Sequence, residues 1–339
     1  MKFGLFNLMT VPDRTCSLKQ IIDETVTQVR MAEQLDFDVA WFAEHHFSNY
    51  SMCPSPLMMA SYCAPQTDRI RLGAAVLVLP LYHPIRMIEE IALLDIQSNG
   101  RAVIGLGSGY QEYEFSGFGL DIEDKLTLAH EIWDIMEMGL TQGEIAYEGK
   151  HFKLPKRSLT VRCIQQPMPD VFVAGVNPGL VERVARSGYT PFVSTGFRGV
   201  DKLMDLRSQV EKSFGKVAAT HDRIPLAIQR YVYITDSRED ALDAAECARF
   251  VGRTVANMVA GTPQLDGAFL KPLPFDGEPS LEEIVENLNI GDPETVAEKI
   301  INEVRIARPT HYSCFFRFGP MDGKRALRSI ERFGSEVLP

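Results

Sequence analysis

The chain has 339 residues, of which 45% are hydrophobic and 24% charged, a composition typical of globular proteins that excludes a disordered or fibrous one. A net charge of −10, without a cluster of basic residues, argues against a nucleic-acid partner, and no apolar stretch is long enough to predict a membrane span. Six scattered cysteines show no metal-ligand spacing and predict reduced thiols in a cytoplasmic protein.

Strand-like and helix-like segments alternate along the chain. Residues 2–7 are predicted to form a strand, 18–35 a helix with one apolar face, and 39–43 a second strand, which completes one βαβ unit. Further strands are predicted at 70–77, 102–106, 171–174, 192–194, 226–234 and 313–316, with helices at 84–97, 126–140 and 180–187 and a hairpin over 145–154. Eight short apolar strands separated by helices favour an α/β fold, a closed (β/α)₈ TIM barrel spanning residues 1–339 as a single domain, over an open doubly wound sheet.

Residues 261–279 are expected to be an insertion in this barrel. The segment contains four prolines and three glycines within 19 residues, which predicts no regular element. We expect a loop that acts as a mobile lid. Further on, Asp292 and Pro293 are the residue types of an N-cap and a first helical position, so a helix is predicted from there to about Arg308.

Two histidines follow the second predicted strand, at the end where barrel active sites lie. Glu44, His45 and His46 can serve acid–base catalysis, with the carboxylate orienting one ring, or can form a structural pair. Further ligands at metal-binding spacing are missing from the sequence, so no metal site is predicted.

Two glycine-containing turns are candidate cofactor sites. The turn after the fourth strand would let a flat ligand approach the backbone, or is simply a tight exit from the strand. It consists of Gly107, Ser108, Gly109 and Tyr110. The turn after the fifth strand enters a helix whose N-terminal amides suit a phosphate group, although an ordinary turn has the same features. It consists of Val176, Asn177, Pro178, Gly179 and Leu180.

Several short motifs occur in a fixed order along the chain. They are Phe3-Gly4, WFAEHHF at 41–47, GAAVLVLP at 73–80, His83-Pro84, Leu94-Asp95, Gly100-Arg101, GxGxG at 105–109, Phe118-Gly119 and GDPETV at 291–296. As an ordered set they resemble the bacterial luciferase-like family of flavin monooxygenases, and its alpha-chain branch in particular. The resemblance is strong over residues 1–190 and weak after them, apart from the GDPETV turn.

The resemblance implies a (β/α)₈ barrel that takes reduced FMN as a co-substrate. The family reacts it with dioxygen to a flavin 4a-hydroperoxide that oxygenates a small organic substrate, such as an aldehyde or ketone. His45 would be the catalytic histidine, supported by His46 and Glu44. Ala74 and Ala75 would carry a non-proline cis peptide beneath the flavin ring, and the turn at 176–180 would hold the phosphate.

Two partners also follow from the resemblance. A separate flavin reductase is expected, because the chain shows no second dinucleotide-binding domain. A homodimer is expected through the helix at 84–97. Its apolar residues Ile88, Ile91, Ala92 and Leu94 either form this interface or face the barrel.

The sequence departs from the family pattern at two places. Ser108 stands where luciferase alpha chains have an arginine, and the turn at 176–180 lacks the Glu-Ser-x-x-Thr pattern, so Asn177 and backbone amides would bind the phosphate. Two other functions stay open: a deazaflavin-dependent oxidoreductase that transfers hydride on the same barrel, and an inactive flavin-binding protein. The substrate is not predicted. Candidate specificity residues are Met9, Gln229, Arg230 and Arg317.

Overall fold

A closed barrel of parallel strands forms the centre of the molecule. The computed structural model describes residues 1–215 and 224–338. Within them the barrel strands are β1 Lys2–Asn7, β2 Val39–Phe42, β3 Arg71–Ala74, β4 Ala102–Gly107, β5 Val171–Ala174, β6 Thr190–Ser194, β7 Ala227–Ile234 and β8 His311–Phe315. Each strand pairs with the next along the chain, and β8 pairs with β1 to close the barrel. The predicted (β/α)₈ barrel is confirmed.

Helices connect the strands and pack around the barrel. Those of the described residues are α1 Leu18–Gln34, α2 Pro56–Cys63, α3 Pro84–Gln97, α4 Glu112–Gly117, α5 Lys125–Gln142, α6 Pro178–Ser187, α7 Val200–Gly215, α8 Arg238–Val259, α9 Leu281–Asn287, α10 Pro293–Ala307 and α11 Gly323–Arg332. None of them combines the length and the hydropathy that crossing a bilayer needs. The predicted cap of α10 is confirmed, because the Asp292 side chain accepts a hydrogen bond from the Thr295 N–H at 2.9 Å.

The strand predicted over residues 70–77 is interrupted. β3 ends at Ala74, and the chain pairs with β4 again at the two-residue strand Leu77–Val78. The non-proline cis peptide joins Ala75 to Val76, one bond later than the resemblance implied. The prediction misses by one residue because the ladder with β2 continues through Ala74, and the Ala75 N–H still donates to the Phe42 carbonyl at 2.8 Å. The predicted outer hairpin is confirmed as the strands Glu144–Glu148 and Lys153–Ser158.

The segment 261–279 contains a regular element, so the prediction of an irregular loop is wrong in part. The strands Leu265–Asp266 and Phe269–Leu270 pair as an antiparallel hairpin around Gly267, which has a φ of 61°. We call residues 265–270 the rim hairpin.

Two asparagines from other parts of the chain hold the rim hairpin. The Asn257 side chain on α8 donates to two backbone carbonyls that flank the hairpin, at 2.8 and 3.0 Å. Asn49, after β2, accepts from the Leu270 N–H at 2.8 Å through its side chain, and its backbone N–H donates to the Ala268 carbonyl. The side-chain bond of Asn49 joins segments 221 residues apart, which is why the local composition does not reveal the hairpin.

Aromatic side chains fill the inside of the barrel towards the amino ends of its strands. Trp41 is fully buried and packs edge-on against Phe172 at 5.0 Å between ring centroids, with Phe192 at 5.4 Å. Since this layer closes the lower part of the barrel, open space is left at the carboxyl ends of the strands.

Candidate active site

A cavity of about 550 Å³ lies at the carboxyl ends of the barrel strands. Every barrel strand, or the loop that follows it, contributes to its lining. Its volume is in the range of sites that bind small molecules.

Two unlike walls enclose the cavity. The small-residue wall comes from the ends of β3, β4 and β5. We define it as Ala75, Val76, Gly107, Gly109 and Gly175. The aromatic wall comes from β1, β7, β8 and the loop after β2. We define it as Phe6, Tyr50, Tyr231 and Phe315. The Phe315 ring centroid lies 5.2 Å from that of Phe6 and 4.8 Å from that of Tyr231, so the rings of three neighbouring strands form one continuous surface.

His45 lines the cavity where these two walls meet, just after β2. Its Nδ1 lies 3.1 Å from Oε1 of Glu114 and 2.9 Å from Nε2 of Gln111. The Gln111 amide can turn either its NH₂ or its oxygen to the ring, so it accommodates the tautomer that the carboxylate sets. An ionised carboxylate only accepts hydrogen bonds, so Glu114 favours the tautomer with the proton on Nδ1. The Nε2 atom is then the ring nitrogen available for proton exchange.

Glu114 is a candidate functional residue that the sequence reasoning missed. It lies on the short helix α4, is 2% exposed, and also accepts a hydrogen bond from the His46 N–H at 2.8 Å. One carboxylate therefore fixes both the ring of His45 and the backbone after it. Its position in the sequence is a usable signal, because Glu114 follows the glycine turn 107–110 by only one helical turn. The other acid in this stretch, Glu112, is exposed in the structure.

Glu44 and His46 support the site from behind. Glu44 accepts hydrogen bonds from the Val78 N–H at 3.0 Å and the Tyr82 hydroxyl at 2.8 Å, and lies 3.0 Å from Nε2 of His46. Burial raises the pKa of Glu44, although these hydrogen bonds oppose the shift. The carboxylate thereby ties the end of β2 to the segment after β3. His46 does not line the cavity, and its ring packs edge-on against Phe118 at 4.8 Å.

The turn after β4 lies where the sequence predicts, with Gly107, Ser108, Gly109 and Tyr110 all lining the cavity. Ala75 also lines it. Ala74 does not, because it is the last ladder residue of β3 and is fully buried in the main hydrophobic core.

The turn after β5 contributes only part of its predicted set. Asn177 and Leu180 line the cavity, whereas Val176, Pro178 and Gly179 do not. Val176 packs on the core, and Pro178 has no N–H to offer. The Gly179 N–H donates to the Asn177 side chain at 3.1 Å, in the N-cap of α6.

Of the four candidate specificity residues, only Gln229 lines the cavity. Arg230 points out of the barrel, where it pairs with Glu303 at 2.6 Å and is 1% exposed. Arg317 pairs with Glu24 at 2.9 Å, and Met9 is buried in the core. These three residues are therefore part of the scaffold.

The charged side chains that line the cavity are acidic. Among the described residues that line it, Glu44 and Glu114 are acidic and none is lysine or arginine. Ser108, at the position where the resemblance implied an arginine, also lines the cavity and adds no cation to it.

Relatives of known sequence match over the full length. The family described as "Luciferase-like monooxygenase" matches residues 1–308. The chain is 33% identical to a Sinorhizobium fredii protein named y4vJ, over 100% of this chain and 97% of that one. It is 27% identical to the oxygenase component of a flavin-dependent trigonelline monooxygenase from Acinetobacter baylyi, over 100% and 95%.

Solved structures show the same fold. The monooxygenase RslO1 from Streptomyces bottropensis superimposes with a TM-score of 0.85 at 21% identity, over 100% of this chain and 99% of that one. The oxygenating constituent of 3,6-diketocamphane monooxygenase from Pseudomonas putida, solved with FMN, gives 0.79 at 20% identity over 100% and 98%. A coenzyme F420 dependent tetrahydromethanopterin reductase from Methanopyrus kandleri gives 0.71 at 21% identity over 100% and 98%. The match of the family over residues 1–308, on a barrel of this architecture, shows that the chain belongs to the luciferase-like monooxygenase family.

Proposed function

We propose that this protein is the oxygenase component of a two-component monooxygenase that uses reduced FMN and dioxygen to oxygenate a small organic substrate. The observation that carries the proposal is His45, held by Glu114 at the edge of the cavity. Family membership and the name of the Acinetobacter relative support it.

The residues of the cavity fit FMN. The small-residue wall leaves a flat surface for a ring system, because Gly107 and Gly109 present backbone rather than side chains. Asn177 and the N-terminus of α6 offer polar groups for a phosphate at the edge of the same wall. With no cation in the described lining, this phosphate seat relies on amides and the helix dipole.

Reduced FMN supplies the electrons that activate dioxygen when it is bound. The protein's own residues would then handle protons and exclude water. Glu114 keeps the proton of His45 on Nδ1, and Nε2 exchanges a proton with the reacting groups in the cavity. The aromatic wall shields the opposite side from solvent.

A deazaflavin-dependent hydride transfer is the second candidate, and the structural likeness to an F420 dependent reductase is the observation in its favour. An inactive flavin-binding protein is disfavoured, because a storage site has no use for a histidine oriented by a buried carboxylate.

Two partners belong to the proposal. A separate reductase would supply reduced FMN, as the wording "oxygenase component" indicates for the Acinetobacter relative. A homodimer would form through α2 and α3, which are adjacent since Ser61 on α2 donates to Gln97 on α3.

Of the two alternatives for the apolar residues of α3, the structure shows the one in which they pack inside the subunit. Ile88, Ile91, Ala92 and Leu94 are buried within the subunit. Met58, Tyr62, Leu93 and Ile96 are the large apolar side chains exposed on the same two helices. Sedimentation at micromolar concentration tests the dimer, and a 38.0 kDa species would contradict it.

The experiment for the function is oxygen consumption by the full chain with chemically reduced FMN across a panel of aldehydes, ketones and sulfonates. Oxygen incorporated into product supports the monooxygenase. Anaerobic oxidation of reduced F420 coupled to substrate reduction, without activity on FMN, would support the second candidate instead.

A further inference from the structure

The aromatic wall contains two buried tyrosines whose hydroxyl groups lack a protein partner. Tyr231 is 4% exposed and Tyr50 is 9% exposed, and both line the cavity. Within residues 1–215 and 224–338, neither hydroxyl has a protein hydrogen-bond partner, and neither is among the fully enclosed side-chain atoms, so both face the open space of the cavity. Polar groups inside folded proteins nearly always find a partner, so these two hydroxyls are free to hydrogen-bond a ligand that fills the cavity.

The two phenols are close enough to influence each other and are both hydrogen-bond donors. Burial raises the pKa of Tyr231, and the neighbouring Tyr50 adds to the shift. Burial also raises the pKa of Tyr50, with Glu114 contributing. Both phenols therefore stay protonated across the physiological range, and each can donate a hydrogen bond to an acceptor in the cavity.

Tyr50 also connects this pair to His45. Its ring packs edge-on against the His45 ring, with centroids 4.7 Å apart. An oxygen atom bound between the tyrosines would thus lie beside the histidine that handles protons.

The charge of the cavity restricts what this acceptor is. Glu114 lies beside His45, and the described lining offers no lysine or arginine. Arg230 on β7 does not supply a positive charge to the cavity, because it forms an ion pair with Glu303 outside the barrel. A carboxylate or sulfonate on the substrate would face Glu114 without compensation, whereas an uncharged carbonyl oxygen would not.

The remaining surface of the aromatic wall suits a ring. Phe315 packs edge-on against Phe6 and tilted against Tyr231, so a flat apolar face is presented to the cavity. Aromatic ligands gain from such offset and edge-to-face contacts beyond the area that they bury.

We propose that Tyr50 and Tyr231 together bind the carbonyl oxygen of an uncharged aromatic aldehyde or ketone, whose ring lies against Phe6 and Phe315. The proposal rests on the proposed function, since it names the substrate class of the same cavity.

The test is equilibrium binding by titration calorimetry, on the full chain with and without oxidised FMN. Acetophenone is the probe, benzoate is the anionic analogue of similar size, and styrene is the uncharged analogue without an oxygen. We expect acetophenone to bind about tenfold more tightly than either analogue, the size of effect that one or two hydrogen bonds provide.

Two variants assign that preference to the tyrosines. The double variant Tyr50→Phe/Tyr231→Phe should bind acetophenone and styrene with equal affinity and keep its thermal stability. Tyr147→Phe, in the outer hairpin, is the matched control and should keep the full preference. Benzoate binding as tightly as acetophenone, no binding of acetophenone up to its solubility, or an unchanged preference in the double variant would each overturn the proposal.

These outcomes are separate from those for the proposed function. If reduced FMN supports no oxygen consumption, the oxygenase assignment fails while the binding constants stand. If oxygen is incorporated into other substrates but benzoate and acetophenone bind equally, only the substrate class fails.

Discussion

The two walls of the cavity achieve complementary surfaces by opposite means. The small-residue wall works through missing side chains, so that backbone at the ends of β4 and β5 reaches the cavity. The aromatic wall is formed by bulky side chains, and the hydroxyl groups of Tyr50 and Tyr231 are its hydrogen-bonding groups. A flat cofactor needs open space next to backbone groups. A substrate needs side chains that distinguish it from other small molecules, so the two ligands suit different walls.

A substitution at the junction of the two walls, where His45 lies, should have the largest effect on turnover. His45→Ala should fold and bind FMN but lose about 10²–10⁴-fold in turnover, because a general acid–base group contributes that much. Steady-state oxygenation and an FMN titration measure the two properties. His151→Ala, far from the cavity on the outer hairpin turn, is the control. Turnover within about threefold of the unchanged enzyme would remove His45 from the chemistry.

Adding one methyl group to the small-residue wall should weaken FMN binding without changing the aromatic wall. In Gly107→Ala the new Cβ would meet Cγ2 of Val76 at 2.5 Å, so the wall must shift. We expect FMN affinity to fall by about tenfold or more, from overpacking strain of about 1–3 kcal/mol.

Acetophenone binding without FMN should be unchanged in the same variant, because the aromatic wall is untouched. Gly119→Ala offers a surface control, since no atom lies within 4 Å of its Cβ position, although its positive φ adds a small local strain. If both ligands weaken equally in Gly107→Ala, the two walls are not independent.

Glu114→Gln tests the link between His45 and its carboxylate. Turnover should fall by about tenfold, because a charge-assisted hydrogen bond to the ring is replaced by a weaker one. FMN affinity should not change. The ¹⁵N NMR spectrum of labelled histidine should show a smaller population with the proton on Nδ1.

Glu112→Gln, an exposed acid on the same helix, is the matched control. A purely structural role for Glu114 would lower the melting temperature without altering the tautomer, and that result would contradict the positioning role.

The smallest effect is expected where the rim hairpin contacts the loop that carries Tyr50. Asn49→Ala removes its side-chain hydrogen bonds to Leu270 and Val11, each worth about 1 kcal/mol. Amide hydrogen exchange at 268–270 should accelerate by a few fold, and more of the oxygen consumed should appear as hydrogen peroxide. Asn302→Ala, exposed on α10, is the control. Unchanged exchange would show that Asn257 and the backbone bond from residue 49 to Ala268 hold the hairpin without this side chain.

The sequence predicts the barrel and the small-residue wall well because their signals are local. Strands such as β1 and β5 are short apolar runs bounded by turns, and the two glycines of the 107–110 turn are separated only by Ser108. The aromatic wall was not predicted. Tyr231 and Phe315 have the same residue types and spacing as core residues, and only closure of the barrel shows which of them face the cavity.

Glu114 and the rim hairpin were missed for a related reason. Each depends on bonds between segments far apart in the chain, such as His45 to Glu114 and Asn49 to Leu270. Of the turn at 176–180 only Asn177 and Leu180 line the cavity, because a contiguous motif suggests that all of its residues face a ligand, whereas helical geometry directs only some of them there.

The ion pair of Arg230 with Glu303 has a consequence for how β7 pairs. Side chains on a strand alternate between its faces, so a slip by one residue would turn Gln229 and Tyr231 outwards and bring Arg230 into the cavity. In that alignment a buried guanidinium would lose Glu303 and the carbonyls of Arg198 and Asn287. The free-energy cost of burying this guanidinium without its partners fixes the register of β7 and, with it, the orientation of Tyr231.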